Sequence, residues 1–441
     1  MDEKKINHLL ELVDQGYRIC TDSRQAKPGY IFFAIRGEHF DGNRFAETAL
    51  QAGCNLAVID KPEYNTGDKY LVVNNALSTL QLLGQTRRHR MDIPFIGITG
   101  SNGKTTTKEL LQAILSTRFV SAATKGNLNN HIGVPLSLLS FPAETECAIV
   151  EMGANHQGEI ARLCEIAMPT HGLITNIGQA HLEGFGSIEN IAKAKNELYT
   201  YLDKTNGTLF VNHDDPRLKK ITRDMQTIQY GKEDYNHCSG EIIRSSPALH
   251  IRFQVNRNFG AAKRGLRGEV KSRLTGGYNF ENILAGITVG LYFGVKPEEI
   301  NRAVGAYVPE NHRSQIIHTS RNTVVMDAYN ANPSSMAAAL DNLALFNDKP
   351  RAVFLGDMLE LGPIAEAAHR NVIDKVKQMR TSLQVYVGKH FAATCKEEED
   401  TLVFDHVNEA AEWLRNNPIQ GYTVLVKGSR GIQMEKLLDY L

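Results

Sequence analysis

Short apolar runs alternate along the chain with longer stretches in which apolar residues recur at helical spacing. From Ile93 onward, each run of strand type is followed by such a stretch; IPFIGIT, for example, precedes TTTKELLQAIL. Strands separated by helices pair in parallel, because the crossover helix returns the chain in the same direction. The predicted strands of this region are IPFIGIT, ECAIVEM, GLITNI and TLFVN. The pattern therefore predicts a central parallel sheet.

The regions on either side have patterns of their own. Towards the N-terminus we predict a strand over 30–37, a helix over 45–53, the strand NLAVID and a helix over 76–89. Beyond residue 313, the strands TVVMDA, RAVFLGD, LQVYVG and YTVLVKG are each followed by a predicted helix. That last unit is Rossmann-like but lacks GxGxxG, so it does not imply a dinucleotide site. The expected fold class is α/β with three domains, 1–88, 89–311 and 312–441.

Two further stretches complete the outline. Residues 241–275 predict one or two β-hairpins with basic side chains, which are most simply a solvated surface. The longest apolar run, Ile283–Val295, is shorter than the roughly 20 residues that cross a bilayer. It therefore indicates a core helix, and we expect no membrane insertion.

Composition and charge remove several classes of protein. The chain has 441 residues with 49 Lys and Arg against 49 Asp and Glu, so it lacks the basic excess typical of a nucleic-acid-binding protein. Its six cysteines are scattered and form no CxxC pair, which argues against a zinc cage or a redox pair. The N-terminal residues carry scattered charges and no apolar core of a signal peptide. We therefore expect a cytoplasmic globular protein that binds no nucleic acid.

The strongest local signal is the turn between IPFIGIT and the helix that follows. Such a turn aims several backbone N–H groups at one point beside the positive end of a helix, and glycine lets the backbone approach a phosphate closely. Lys104 supplies a cation for the β- and γ-phosphates, and the Thr105 hydroxyl is a hard oxygen ligand for Mg²⁺. Ile98 replaces the first glycine of the longer Walker pattern, so a purely structural turn is the alternative. The candidate residues are Gly100, Ser101, Asn102, Gly103, Lys104, Thr105 and Thr106.

Two more polar residues follow strands of the same region. Glu151 ends ECAIVEM, where it could hold Mg²⁺, with a helix-capping role as the alternative. His181 follows GLITNI, and a structural hydrogen bond is the alternative for it. Because the carboxyl ends of parallel strands meet at one edge, these residues would converge on the phosphate loop. The sequence predicts a MgATP site that uses the γ-phosphate, without identifying the acceptor.

Longer strings resemble the Mur ligase family, in the family's order and over nearly the whole chain. The central strings are TGSNGKTTTKE, NLNNHIGVP, EMGANHQGEI, TNIGQAHLEGFGS, AKNELY and GGYNFENILAG. TDSR and GEHFDGNRF resemble the family's N-terminal domain, and DAYNANPSSM, LGDMLELG and VLVKGSRG resemble its branch that adds D-alanyl-D-alanine. The resemblance implies a small α/β UDP-binding domain, a central P-loop parallel-sheet ATPase domain and a C-terminal Rossmann-like domain.

For phosphate and metal, the resemblance implies a role at each matching position. Lys104 and the loop amides would bind the phosphates, and Thr105 and Glu151 would hold one Mg²⁺. His181 would bind a second Mg²⁺. Lys195 falls where these ligases carry a carbamylated lysine, a modification that turns a cation into an anionic oxygen ligand; an exposed helix lysine is the alternative.

The remaining implied contacts divide between the nucleotide and the substrates. Asn279 and Asn282 would lie by the adenine, with helix capping as the alternative, and Arg313 and Asp327 would reach the γ-phosphate and the ribose. A histidine, His312, stands where a glycine is expected before the arginine. The implied substrate contacts are Ser23 and Arg24 for the UDP end, Asn127, Asn129 and Asn130 for the muramoyl-peptide, and Asn330, Asn332 and Asp357 for D-alanyl-D-alanine.

The implied activity is ATP-dependent joining of D-alanyl-D-alanine to UDP-N-acetylmuramoyl-tripeptide through an acyl phosphate, which completes the pentapeptide precursor of peptidoglycan. It would serve cell-wall biogenesis, cell shape and cell division, and we expect a monomer. One alternative is another amide ligase of the family, a third-residue ligase or a folylpolyglutamate synthase, although no DNPR-type string is present. The other is a nucleotide-dependent switch, which would leave Glu151, His181 and Lys195 unexplained.

Overall fold

The computed structural model describes residues 3–309, 312–395 and 401–441. Its N-terminal region is a four-stranded parallel sheet in the order β1-β2-β5-β6, covered by helices. The elements are α1 (Glu3–Asp14), β1 (Arg18–Cys20), β2 (Tyr30–Phe33), β3 (Arg36–Gly37), β4 (Phe40–Asp41), α2 (Ala46–Gln51), β5 (Leu56–Ile59), β6 (Tyr70–Val72) and α3 (Ala76–His89).

The strand predicted over 30–37 is divided in the structure. Strand β2 ends at Phe33, and β3 pairs with β4 in a small antiparallel hairpin. The division follows from a local hydrogen bond, because the N–H of Gly42 donates to the Ile35 carbonyl at 3.1 Å and turns the chain back. The two predicted helices of this region are present as α2 and α3.

The central region contains a nine-stranded sheet in the order β15-β14-β13-β12-β11-β10-β7-β9-β8. It is parallel from β8 to β13, and β14 and β15 extend it as an antiparallel edge, which confirms the hairpins predicted over 241–275. The strands are β7 (Phe95–Thr99), β8 (Ser121–Ala123), β9 (Cys147–Glu151), β10 (His171–Ile174), β11 (Thr208–Asn212), β12 (Thr227–Gly231), β13 (Cys238–Arg244), β14 (His250–Val255) and β15 (Arg267–Lys271).

Helices cover both faces of this sheet. The helices are α4 (Lys104–Leu115), α5 (Gly133–Ser140), α6 (Glu159–Ala167), α7 (Leu182–Phe185), α8 (Ile188–Lys204), α9 (Pro216–Ile221), α10 (Asn279–Tyr292) and α11 (Pro297–Ala306). One core joins α4, α10 and α11 to the sheet, and the other joins α5, α6 and α8. Helix α10 carries the longest apolar run and is buried, so the predicted core helix is confirmed. In the described part of the chain, no helix is long and apolar enough to cross a membrane.

The C-terminal region is a six-stranded sheet in the order β16-β17-β21-β18-β19-β20. Its elements are β16 (Gln315–His318), β17 (Thr323–Asp327), α12 (Pro333–Ala344), β18 (Arg351–Gly356), α13 (Ala365–Gln378), β19 (Leu383–Val387), α14 (Lys389–Thr394), β20 (Leu402–Phe404), α15 (Val407–Asn416) and β21 (Thr423–Lys427). Strands β16 and β20 were not predicted. The helix predicted after β21 is a 3₁₀ helix, Met434–Tyr440.

Polar contacts fix the central region against its neighbours. Arg88 of α3 donates from Nε to the Ala167 carbonyl at 2.9 Å, and its guanidinium stacks 3.8 Å from the Phe95 ring centre. On the other side, Thr275 donates its hydroxyl to Asn342 Oδ1 at 3.1 Å, both side chains being buried. The C-terminal sheet is therefore docked onto the central one.

The predicted boundary between residues 311 and 312 falls at residues 310 and 311, which lie outside the described residues.

Candidate functional site

The phosphate loop, the end of β9 and the loop after β10 lie together because β10, β7 and β9 are adjacent parallel strands. The Ser101 N–H donates to the Asn176 carbonyl at 3.0 Å, and the Asn102 N–H donates to Asn176 Oδ1 at 3.0 Å. These strand ends open into a cavity of about 1090 Å³ with walls from all three regions of the chain. The structure thus brings together the strand ends that the sequence placed at one edge.

Glycine is required at two positions of the phosphate loop. Gly100 and Gly103 have φ of +144° and +80°, a region that side chains disfavour. A Cβ on Gly103 would lie 2.4 Å from Asn282 Oδ1, and one on Gly100 would lie 1.9 Å from Thr175 Oγ1. The backbone is held tightly between β10 and α10, at the N-terminus of α4. Those are the conditions for close approach of a phosphate.

Lys104 begins α4 and folds back over the loop. Its Nζ donates to the Gly100 carbonyl at 2.6 Å and to the Ser101 carbonyl at 3.3 Å. Burial lowers the pKa of Lys104 to about 8, while the charge of Glu151 opposes this shift. The lysine is held where an anion bound to the loop would meet it.

Glu151 is 2% exposed and faces α4. It accepts hydrogen bonds from Thr105 Oγ1 at 3.0 Å and Asn129 Nδ2 at 2.9 Å, and Lys108 Nζ lies 3.4 Å from its Oε2. The helix-capping alternative is wrong, because α6 begins eight residues later. Thr105 and Glu151 present two adjacent oxygen donors beside the phosphate loop, a set that suits Mg²⁺. Sequence reasoning missed Lys108, although it stands four residues after Lys104 on the same helix.

His181 and Lys195 lie near the phosphate loop; His181 lines the cavity, whereas Lys195 is not among the described residues that line it. His181 has φ of +55°, and its Nδ1 lies 2.5 Å from Glu360 Oε2 of the C-terminal region, which leaves Nε2 available. Burial, followed by the charge of Lys104, lowers the pKa of His181. Lys195 on α8 is 2% exposed, so the exposed-lysine alternative is wrong. Its Nζ lies 5.5 Å from the Phe185 ring centre, and burial lowers its pKa to about 7.

The nucleotide end of the cavity is formed by the start of α10. Asn279 donates to the Thr275 carbonyl at 2.7 Å, and Asn282 donates to Asn279 Oδ1 at 2.9 Å. The residue that caps α10 is Tyr278, so helix capping does not explain the two asparagines. Sequence reasoning missed three carboxylates that line the same end, Asp214, Asp215 and Glu281. The signal for the first two was their position directly after β11.

The C-terminal region supplies the opposite wall. The Arg313 guanidinium stacks 3.6 Å from the Tyr329 ring centre, and its buried Nε has no hydrogen-bond partner among the described residues. Asp327 accepts hydrogen bonds from the Ser314 N–H at 3.2 Å and from Lys427 Nζ at 2.6 Å. All five residues line the cavity. Tyr329 and Lys427 belong to strings singled out in the sequence, but neither was predicted as a site residue.

A channel towards the N-terminal region carries the asparagines predicted for the muramoyl-peptide. Asn129 contacts Glu151, and Asn130 Oδ1 accepts the Gly133 N–H at the start of α5 at 2.8 Å. The lining of this part of the cavity is Gln81, Asn127, Asn129, Asn130, His131, Gln157 and Arg162. Gln81 extends the cavity to the N-terminal region.

Some predicted substrate residues lie elsewhere or are otherwise engaged. Ser23 and Arg24 are on the surface of the N-terminal region and do not line this cavity; the Arg24 side chain is 88% exposed and pairs with Asp22 at 2.6 Å. Asn332 lines the cavity, but its Oδ1 caps α12 by accepting the Ser335 N–H and its Nδ2 donates to Asn102 Oδ1 at 2.8 Å. Its side chain joins two regions of the chain.

Asp357 corrects the sequence-based expectation. It is 2% exposed and is not among the described residues that line the cavity. Its two carboxylate oxygens accept the N–H groups of His390 and Phe391, each at 2.9 Å, at the start of α14. Both carboxylate oxygens therefore already accept hydrogen bonds from the helix backbone, which argues against a contact between Asp357 and the dipeptide. Asn330 is exposed and lines the cavity, so its predicted role stays a prediction.

A phosphate loop on a parallel sheet, facing a second α/β domain across a cavity, defines a nucleotide-dependent enzyme that acts between its domains. Family models described as the Mur ligase family catalytic domain, the Mur ligase middle domain and the Mur ligase glutamate ligase domain match residues 17–88, 98–290 and 312–430. The chain belongs to the Mur ligase family.

Individual relatives extend this result over nearly the whole chain. A Bacillus subtilis protein named UDP-N-acetylmuramoyl-tripeptide–D-alanyl-D-alanine ligase is 33% identical, covering 96% of this chain and 92% of the relative. A crystal structure of MurF from Acinetobacter baumannii aligns with a TM-score of 0.85 at 30% identity, covering 98% and 97% of the two chains. The MurF ligase of Thermotoga maritima in complex with ADP aligns at 0.83 and 27% identity, covering 97% of each chain. The three-domain α/β fold class is confirmed.

Proposed function

We propose that this chain is an ATP-dependent ligase that joins D-alanyl-D-alanine to UDP-N-acetylmuramoyl-tripeptide and so completes the pentapeptide precursor of peptidoglycan. The observation that carries the proposal is similarity over nearly the full length to a ligase named for that reaction, at 33% identity. The cavity agrees with it, because a phosphate loop, a channel lined by asparagines and a wall from the C-terminal region meet in one space. The chain is an enzyme that binds adenine nucleotide. The alternatives, another ligase of the family and a nucleotide switch, are less well supported.

The reaction needs an activated carboxyl group. A carboxylate repels nucleophiles and has no good leaving group, so ATP first converts it into an acyl phosphate. The amine of the dipeptide then attacks, the tetrahedral oxyanion collapses, and phosphate leaves. Both steps gather negative charge, so cations aimed at that charge stabilise the transition states most.

The residues around the loop supply this positive charge. Lys104 is held over the phosphate loop, and Arg313 approaches from the opposite wall with a buried Nε that has no hydrogen-bond partner among the described residues. Thr105 and Glu151 would hold one Mg²⁺, and His181 with a carbamate on Lys195 would hold a second; the ions would add positive charge at the phosphate oxygens. Glu360 orients the His181 ring through Nδ1.

Burial supports the carbamate on Lys195. Its amine is enclosed, and it has no hydrogen-bond or ion-pair partner among the residues the structure describes. A buried amine without a partner favours its neutral form, and the neutral amine is the form that reacts with CO₂. The anionic carbamate would also offset the nearby charge of Lys104.

The third domain protects the intermediate from water. Asn102 of the phosphate loop accepts from Asn332 Nδ2 at 2.8 Å and donates to Ser334 Oγ at 3.1 Å. These contacts close one side of the cavity over the loop. Excluding water matters because an acyl phosphate hydrolyses readily.

We place the reaction in the cytoplasm and expect a monomer, and both stay predictions.

A substrate panel tests the proposal. Purified protein is incubated with MgATP, UDP-N-acetylmuramoyl-tripeptide and either D-alanyl-D-alanine, D-alanine or a third-residue amino acid. Phosphate release and product mass are measured. We expect phosphate release and a new amide only with the dipeptide. Equal rates with D-alanine would move the chain to another branch of the family, and steady phosphate release without any acceptor would favour the nucleotide switch.

A further inference from the structure

The acceptor dipeptide carries charge at both ends, and the two ends need different surroundings. Its amine must be uncharged and must reach the acyl phosphate. Its terminal carboxylate stays ionised and needs a cation away from the reacting atoms. A carboxylate such as Asp357 would repel this end of the dipeptide, so its partner has to be a cationic side chain of the C-terminal region.

Three cationic side chains stand on the cavity wall formed by the C-terminal region or at its rim. Arg313 faces the phosphate end, and its charge acts on Lys104. Lys427 is 1% exposed and already lies 2.6 Å from Asp327 Oδ2. Arg430 is exposed, and it has no carboxylate partner in the part of the chain that the structure describes. Its charge is therefore available to a ligand.

Tyr329 places Arg430 at the cavity. The phenol ring lines the cavity, and the Arg430 guanidinium lies 5.2 Å from the ring centre, with Nη1 3.4 Å from the hydroxyl oxygen. Arg313 stacks on the same ring at 3.6 Å. One tyrosine thus carries two guanidinium groups, one towards the phosphates and one at the rim.

The loop that carries Arg430 is also tied to the reaction centre. The Leu359 N–H donates to Ser429 Oγ at 2.9 Å, and the next residue, Glu360, contacts His181. The Leu359 side chain is 39% exposed and lies beside Gly431, where an added Cβ would be 3.0 Å from Leu359 Cδ1. A cation next to an exposed apolar side chain suits a ligand with a carboxylate and methyl groups.

We propose that Arg430, oriented by Tyr329, binds the terminal carboxylate of the acceptor dipeptide; this assignment rests on the proposed function. An acceptor held there by its carboxylate points its amine from the rim towards the phosphate loop. A single D-alanine held by the same arginine is one residue shorter, and an extended residue spans about 3.3–3.6 Å. Its amine would therefore end about one residue short of the point that the amine of the dipeptide reaches. The enzyme would therefore select a dipeptide over a single amino acid by the distance between the carboxylate and the amine of the acceptor.

The test compares acceptors that differ only in this carboxylate. Wild-type protein, Arg430→Met and Arg430→Lys are assayed with D-alanyl-D-alanine and with D-alanyl-D-alanine amide, whose C-terminus is uncharged. Arg415→Met is the matched control, because Arg415 is exposed and contacts Tyr440 in the same way, with its guanidinium 5.3 Å from the ring centre. KM and kcat are measured for each acceptor, together with KM for ATP and for the UDP substrate.

We expect wild type to prefer the free acid. Arg430→Met should raise KM for D-alanyl-D-alanine by about 10- to 100-fold, the range for losing hydrogen bonds to a charged group. Its KM for the amide acceptor and for the other two substrates should change by less than about twofold, and Arg430→Lys should fall between. The control should match wild type.

Several results would overturn the assignment. Wild type using the amide as well as the free acid would do so even if Arg430→Met failed to fold. A folded Arg430→Met protein that kept the wild-type preference would do so as well. If the wild type ligated no D-alanyl dipeptide, the proposed function would be wrong, and this assignment with it. If the wild type ligated the dipeptide but Arg430→Met still preferred the free acid over the amide, only the assignment of Arg430 would be wrong.

Discussion

At the scale of single residues, two buried lysines of the central region form no ion pair with a carboxylate in the part of the chain that the structure describes. Lys104 and Lys195 are both buried, and burial lowers the pKa of Lys104 to about 8 and that of Lys195 to about 7. Glu151 is already shared between Lys108, Thr105 and Asn129. A buried cation that has no ion-pair partner is costly unless an anion joins it. A triphosphate and a carbamate are anions that fit these positions.

The prediction at this scale concerns Lys195. Lys195→Ala should be nearly inactive, because an anionic oxygen ligand is lost, and a short carboxylic acid in the buffer should restore part of the activity. The exposed lysine Lys193, on the same helix, gives the control Lys193→Ala. With ¹³C-labelled bicarbonate, a carbamate resonance should appear in wild type and be absent from Lys195→Ala. Near-normal turnover in Lys195→Ala would refute the carbamate.

At the scale of elements, the ends of the parallel strands provide the site, but not every polar residue at a strand end serves it. Strands β7, β9 and β10 deliver the phosphate loop, Glu151 and the loop that carries His181. Strand β18 of the C-terminal sheet delivers Asp357 in the same way. There the carboxylate meets the first N–H groups of α14, which have no partner within the helix. The backbone N–H groups at a helix start and the amine of a substrate can both donate to a carboxylate. The sequence around Asp357 therefore does not distinguish a helix contact from a substrate contact.

This reading of Asp357 predicts a structural effect. Asp357→Ala should destabilise the C-terminal region by about 3 kcal/mol, since two hydrogen bonds to a buried carboxylate are lost. Amide hydrogen exchange over residues 389–394 should become faster, while KM for D-alanyl-D-alanine stays within about twofold. Asp357→Asn, which keeps one acceptor, should lie between. If KM rose tenfold with unchanged hydrogen exchange, the dipeptide contact expected from the sequence would be restored.

At the scale of the whole molecule, the site is divided between regions. The phosphate loop, Glu151 and His181 belong to the central region, and Arg313, Asp327 and Tyr329 belong to the C-terminal one. The contacts His181–Glu360 and Asn102–Asn332 hold the two together. Binding of the first two substrates and formation of the amide should therefore be separable.

A chain ending at residue 309 tests this division. It should bind ATP and the UDP-linked substrate, because the phosphate loop and peptide channel remain, but form no amide. Calorimetry measures the binding, and mass spectrometry measures the product. Full-length protein is the control for both assays. Amide product from the shortened chain would show that the C-terminal region is dispensable, and loss of UDP-substrate binding would show that this region helps to build the channel.

The sequence by itself determined the features that depend on neighbouring residues. Strand–helix alternation predicted the α/β regions, and the glycine spacing before Lys104 predicted the phosphate loop, because backbone conformation and turn chemistry are local. Only the tertiary structure decided which side chains share a space. It buried Lys195, brought Lys108 to Glu151, turned Asp357 onto a helix, and stacked Arg313 and Arg430 on Tyr329. These outcomes depend on the packing of segments that are distant in the chain, which local pattern does not encode.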